Sequence, residues 1–308
     1  MLKKWFAIFA IVLLIFPVLT PITHASASGD TAVAAIKKSV IQKKPYRTFA
    51  SEYDMEWEMA SKNYRQFYLV GRKNNKIVGG YDTRKGQSLF GIKIGESSTT
   101  VTKKYGTPVD AILKGMTKYT KSYKDAYGQT THGTYLIDGK YVTFFYDVHA
   151  KNTVRSILWV TKEIELSKNG FYAQASQARQ KSFEELTVHL MNQARVSEGI
   201  AALSYASQYN QIGRLHSLDM VTNQYFDHTN LKGQEPWDRM KAGGIEYSYA
   251  GENIAYGQYS AIYAHEALMN SLGHRQNILQ AKFTHAFVGV QFSNKNIPYY
   301  TIGFYTPR

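Results

Sequence analysis

Cysteine is absent from the 308 residues. That absence removes disulfides, thiolate nucleophiles and thiolate metal sites together, so any metal would have to be held by histidine, carboxylate or carbonyl oxygen. Acidic residues are scarce in the first half: residues 28–179 carry 25 Lys and Arg against 13 Asp and Glu, whereas residues 180–308 carry 10 of each. Apart from Lys3 and Lys4, the formal charge of +14 therefore belongs to the first half. An exported domain of that sign would be drawn to polyanions, cell-wall polymer or anionic lipid in preference to nucleic acid, although lysines also form ordinary solvated faces. An apolar run as long as a membrane span is lacking too. The stretch from Trp5 to Leu19 falls short of the roughly 18 residues a span needs. It follows Lys3 and Lys4 and precedes Ala25-Ser26-Ala27, small residues where a signal peptidase reads. Residues 1–27 are thus expected to be a secretory signal peptide, with an uncleaved anchor extended through Thr20 to Ile22 as the alternative. The expected location is extracellular or at the cell surface, where a cysteine-free chain must be stable without disulfides.

A hydrophobic content of 44% and this length allow two globular domains. Residues 28–66 read as a linker or loosely ordered lead-in, because they show little apolar periodicity. In residues 67–170, Phe67 to Val70 and Ile77 to Tyr81 flank an Asn74-Asn75 turn, Ser97 or Ser98 is placed to cap a short helix ending before Pro108, and Lys140 to Tyr146 and Val154 to Val160 make a second strand pair. The expectation is an α+β domain. The boundary falls between Lys168 and Lys181. Ser182-Phe183-Glu184-Glu185 reads as a capping box opening a helix that Gly199 stops, and Tyr209 to Met220 carries a second helical spacing. Phe287 to Phe292 and Tyr299 to Phe304, around Ser293 to Asn296, form a closing hairpin.

Three ionisable side chains in residues 180–308 stand out: His228 after Asp227, Glu252 in Gly251-Glu252-Asn253-Ile254-Ala255, and His274 in Gly273-His274-Arg275-Gln276-Asn277-Ile278-Leu279. Imidazole and carboxylate serve either as metal ligands or as proton-transfer groups. Together with Asn192 and Arg195, the Leu215 to Met220 helix, Tyr225-Phe226-Asp227-His228 and Met269-Asn270-Ser271, these motifs resemble the bacterial branch of the CAP superfamily, that of cysteine-rich secretory proteins, antigen 5 and pathogenesis-related 1 (the SCP-like domain). The first half is similar, more loosely, to the domain that accompanies CAP domains in secreted Bacillus-type proteins. The resemblance implies two domains, an N-terminal α+β domain and a C-terminal CAP α-β-α sandwich at residues 180–308. It also implies a cleft with two histidines and two glutamates. His228, Glu252 and His274 match three of these. The fourth falls near Ser271, so the second glutamate is missing, and Leu268 and Leu272 stand where relatives usually carry Trp and Pro.

The expected ligand-binding cleft is therefore His228, Glu252, Asn253, Ser271, His274 and Asn277, with no established catalytic group. His228, His274 and Glu252 could hold Zn²⁺ with one position open to water, with Glu266, Glu235 and Asp227 as reserve ligands. The same residues could instead be hydrogen-bonded parts of a structural cleft, with Asn253 and Asn277 tying loops together. Ser271 stands three residues before His274, but no Gly-x-Ser-x-Gly elbow surrounds it. His189, His216, His265 and His285 read as packing or surface residues. Three functions stay open: a binding protein whose partner is an unknown ligand, an anionic wall polymer or another protein; a metal-dependent hydrolase; and a structural envelope or spore-layer protein.

Overall fold

A computed structural model describes residues 44–308. The expected signal peptide and the first part of the expected lead-in lie outside the described residues. The rest of that lead-in is ordered: β1 (Arg47–Ala50) and β2 (Glu56–Met59) are paired strands. Strand β2 alternates glutamates with the buried Trp57 and Met59, and β1 buries Phe49, patterns too brief in four residues for periodicity to reveal.

These strands open a seven-stranded antiparallel sheet in the order β1-β2-β3-β4-β11-β10-β9, formed with β3 (Tyr68–Lys73), β4 (Lys76–Asp82), β9 (His132–Ile137), β10 (Lys140–Asp147) and β11 (Thr153–Thr161). The expected Asn-Asn turn joins β3 to β4, with both asparagines at positive φ, as the twist of a two-residue hairpin requires. Helix α1 (Ser98–Tyr105) is capped by the Ser97 hydroxyl, and Gly106 ends it. Two small hairpins, β5 (Ser88–Leu89) with β6 (Ile92–Lys93) and β7 (Ala111–Lys114) with β8 (Thr117–Thr120), and the short α2 (Lys162–Ser167) complete this domain.

The second domain begins with α3 (Gln177–Ser197), whose cap is Ser176. The expected capping box at Ser182 does not form, because the helix starts earlier. The Ser182 hydroxyl instead accepts a hydrogen bond from the Ala50 backbone at 2.8 Å, and Glu185 pairs with Arg47. Gly199 takes φ +74° just beyond the helix, as expected of a C-terminal stop. A four-stranded sheet follows in the order β12-β14-β15-β13, with β12 (Ser204–Tyr205) parallel to β14 (His285–Phe292), and β15 (Pro298–Pro307) antiparallel to both β14 and β13 (Tyr247–Tyr256). Helix α4 (Asn210–Asn223) covers one face. It sits so close that a Cβ on Gly289 would lie 1.9 Å from the Arg214 backbone nitrogen and one on Gly213 would lie 2.7 Å from the Gly289 nitrogen, so both positions need glycine.

Helices α3, α6 (Ala261–Asn270) and α7 (Leu272–Ile278) occupy the other face. There α3 and α6 also meet the N-terminal sheet, and one apolar cluster runs from Phe49, Trp57 and Leu158 through Leu190 and Ile262 to Val288 and Phe304. The two domains therefore share a core, in the order sheet, helices, sheet, helix. Arg195, fully buried in α3, donates to the carbonyls of Ala201, Ile278, Gln280 and Phe283 at 2.8–2.9 Å and so ties the loop after α3 to the end of α7 and the segment that follows it.

Candidate functional site

Edge strand β13 carries Glu252, whose backbone is opposite Gly303 of β15. Its flanks are tied to α7: Asn253 Nδ2 donates to the His274 carbonyl at 3.0 Å, and Asn277 Nδ2 donates to the Glu252 carbonyl at 3.1 Å and to Asn253 Oδ1 at 2.9 Å. Asn253 and Asn277 are thus the ties between β13 and α7.

The Glu252 carboxylate is buried and doubly engaged. His228 Nδ1 lies 2.9 Å from its Oε1, and Arg239 Nη2 donates to both oxygens at 3.1 and 2.9 Å. Arg239 belongs to α5 (Pro236–Ala242), a helix that Pro236 starts and that Glu235 and Asp238 cap reciprocally. The His228 ring is open to solvent: its side chain is 43% exposed, against 4% for Glu252 and 9% for Arg239. With Nδ1 facing the carboxylate, Nε2 is the ring nitrogen left for a ligand. His274 stands apart from this trio in its bonding. Its Nδ1 lies 2.7 Å from Ser271 Oγ, and burial, with the nearby His228 charge second, holds its pKa below the ordinary imidazole value.

His216 of α4 is buried and places its Nε2 3.0 Å from the Asp227 carbonyl, which fixes the residue before His228. Burial first, then the Arg239 charge, lowers its pKa. On its far side Arg239 walls a cavity of about 580 Å³ shared with Ile212, Leu215, His216 and Leu231. Arg239 was not singled out in the sequence because it sits in no motif and reaches Glu252 from another helix. The one local signal was a Glu235-Pro236 helix start between His228 and Glu252.

The reserve ligands do not join the cleft trio's bonding. Asp227 accepts the Thr229 amide, Glu235 caps α5 and accepts the Thr229 hydroxyl, and Glu266 faces the N-terminal domain. These residues do not fit a divalent cation as arranged. A guanidinium already lies along both oxygens of the only glutamate in the trio, and among the described residues no group of three His, Asp or Glu side chains is placed to hold a metal. A serine mechanism finds little support either, since Ser271 Oγ reaches His274 but no carboxylate among the described residues hydrogen-bonds that ring. Removing the carboxylate in Glu252→Ala strands a mostly buried guanidinium, and the expected cost is about 2 kcal/mol in urea unfolding; a change under about 0.5 kcal/mol would mean that water screens the pair.

Comparison with known proteins agrees with this architecture. Residues 36–171 match the family described as CAP-associated N-terminal and residues 188–304 the cysteine-rich secretory protein family (CAP). The chain is 28% identical over 288 residues to the "uncharacterized membrane protein YlbC" of Bacillus subtilis (strain 168), covering 87% of this chain and 82% of that protein. It is 42% identical over 108 residues to "uncharacterized protein YkwD" of the same organism, covering 35% of this chain and 42% of that one. Two solved structures share the fold. One is an extracellular protein containing a SCP domain from Bacillus anthracis str. Ames, with TM-score 0.73, 22% identity and coverage of 88% of this chain and 92% of that one. The other is a cysteine-rich secretory protein from Staphylococcus aureus subsp. aureus Mu50, with TM-score 0.66, 18% identity and coverage of 90% and 93%. Among the described residues no helix is long and apolar enough to cross a membrane. The chain thus carries a CAP domain, that of the cysteine-rich secretory protein family, at residues 188–304 behind a CAP-associated N-terminal domain at residues 36–171.

Proposed function

We propose that this protein works outside the cell as a binding protein, its CAP cleft taking a ligand at His228 and its basic N-terminal domain resting on anionic wall polymer. The observation that carries the cleft reading is the engagement of Glu252. A carboxylate neutralised by Arg239 and facing His228 orients the imidazole, and it is a poor general base or metal ligand while the guanidinium stays. The location is supported by the extracellular SCP-domain protein that shares the fold.

For the N-terminal domain, support comes from where its charges lie. Glu52, Asp82, Asp147 and Glu165 are buried, whereas Lys76, Lys85, Lys93, Lys103, Lys104, Lys118, Lys124 and Lys151 are exposed, so the surface is richer in cations than the composition alone conveys. Attraction of this kind is screened by salt. Sedimentation of residues 28–308 with isolated wall sacculi, with or without their anionic polymer, tests it. Retention should be strong at low salt, fall by about tenfold or more on raising ionic strength from roughly 0.05 to 0.5 M, and be lost on stripped walls. Retention insensitive to both salt and stripping, or none at low salt, would contradict the proposal.

A further inference from the structure

Where the two domains meet, three lysines of the N-terminal domain converge on one carboxylate. Lys114, at the end of β7, lies 2.8 Å from Glu165 of α2, and Lys168, just after α2, lies 3.9 Å from the same oxygen; all three side chains are 9% exposed. Lys121 follows β8 and is partly buried beside them. Its Nζ has no carboxylate within ion-pair distance among the described residues and rests 4.6 Å from the Tyr259 ring and 5.8 Å from the Tyr263 ring, both of the CAP domain. Lys168 Nζ lies over the same Tyr259, at 5.4 Å, and over Tyr53 at 4.9 Å. The two ammonium groups therefore share one aromatic ring, with Glu165 as the carboxylate nearest Lys168.

A second carboxylate nearby, Glu52, interacts with Lys168 and still leaves three lysines to two carboxylates. It is fully enclosed, one of its oxygens has no hydrogen-bond partner, and burial raises its pKa above the ordinary carboxylate value. Burial lowers the pKa of Lys168 as well as that of Lys121, the latter to about 8, which is the cost of crowding ammonium groups here. The cluster thus sets three lysines against two carboxylates in a poorly solvated place, and an entering anion would offset the cost of keeping all three lysines charged. Of the three, Lys168 is the one reached from solvent: it walls a cavity of about 520 Å³ in which Arg72, Lys73 and Arg179 face Glu52, Asp54 and Glu56.

We propose that Lys114, Lys121 and Lys168 form a site for a single oxyanion, a phosphate or carboxylate group, at the junction of the two domains, with Tyr53 and Tyr259 as its apolar walls. The site is enclosed and stoichiometric, unlike the diffuse attraction of exposed lysines, and it does not depend on the cleft reading. Because the tyrosine walls come from both domains, an anion there also holds the domains together.

Ligand that binds only the folded state raises its stability by mass action. Thermal unfolding of residues 28–308 should therefore shift upward in inorganic phosphate or acetate relative to sodium chloride of equal ionic strength, and saturate with concentration. Comparing phosphate, glycerol phosphate and acetate tells which oxyanion the site takes and whether an esterified phosphate, as in a polymer, is accepted. Lys121→Met and Lys168→Met should each abolish the anion-specific shift. Lys121→Met should unfold no earlier than the parent in chloride, since it removes an uncompensated charge while keeping the stem over Tyr259. Equal curves in all salts for the parent, or an undiminished shift in both variants, would overturn the site.

Discussion

Glu266→Ala is expected to destabilise the whole chain by about 3–5 kcal/mol, the scale for removing one partner of a buried charged network. Glu266 projects from α6 into the N-terminal domain, where Tyr81 Oη donates to its Oε1 at 2.7 Å, Ser156 Oγ donates to the same oxygen at 2.5 Å, and Arg155 Nη1 reaches Oε2 at 3.4 Å. One turn further on, Asn270 accepts from Arg155 and donates to the Tyr146 carbonyl, and Arg275 of α7 reaches Asp147. A polar row on two helices of the CAP domain is thus satisfied almost wholly by the other domain. Truncating Glu266 leaves a tyrosine and a serine without their acceptor in a buried interface and removes one of the partners of Arg155, which keeps Asn270 and Asp147. Glu266→Gln keeps an acceptor for both hydroxyls and should cost about half as much. Because the apolar cluster also crosses the junction, parent and variants should unfold in one cooperative transition by both fluorescence and circular dichroism. Two separate transitions, or a Glu266→Ala loss below about 1 kcal/mol, would mean that the domains are stable apart from each other.

Acid should unfold the protein well above the range where its carboxylates titrate. His132 stacks against Phe145 at 5.6 Å, and His265 is 1% exposed inside α6. Burial lowers each to about 3, with the Lys121 charge adding for His132 and the Arg155 and Arg275 charges for His265. The unfolded chain therefore binds these protons near the ordinary imidazole value of 6.5 while the folded chain refuses them until about 3. Stability is present in full above pH 6.5 and is lost as pH falls from there toward about 3. By pH 5 each histidine should have cost about 2 kcal/mol. Asp147, held below the ordinary carboxylate value by Arg155 and Arg275 against the opposing effect of burial, contributes only at lower pH. Urea midpoints at pH 7 and pH 5 test this directly, with His265→Leu expected to remove close to half of the difference. A difference between the two pH values that is absent in the parent, or unchanged in His265→Leu, would contradict the assignment of these rings as buried and neutral.

Much of the fold was legible because it is written locally. The Asn74-Asn75 hairpin, the Ser97 cap, the Gly199 stop and the closing hairpin each depend on residues adjacent in sequence, and each stands where the sequence placed it. What was not legible depends on residues far apart. Ser182 has the signature of a helix start, yet the Ala50 backbone claims its hydroxyl from another domain, and Ser176 begins the helix instead. Strands β1 and β2 are four residues each, too short for alternation to show, and are held by the burial of Phe49 and Trp57. At the candidate site, His228 and Glu252 were found from their motifs and do meet, and Asn253 and Asn277 proved to be ties between β13 and α7. Arg239, which changes the chemistry of Glu252, carries no local signal, because a guanidinium thirteen residues from its partner becomes meaningful only when α5 folds against β13.

The measurement that bears most directly on the cleft is a Zn²⁺ titration of residues 28–308 by calorimetry, beside His228→Ala, His274→Ala and Arg239→Met. With Arg239 seated on both oxygens of Glu252, the parent should take up no zinc in the micromolar range, that is, at roughly −8 kcal/mol or tighter. Stoichiometric uptake by the parent that both histidine variants lose would show that the cleft holds a metal despite the guanidinium, and would contradict the reading of Glu252 as a carboxylate already neutralised by Arg239.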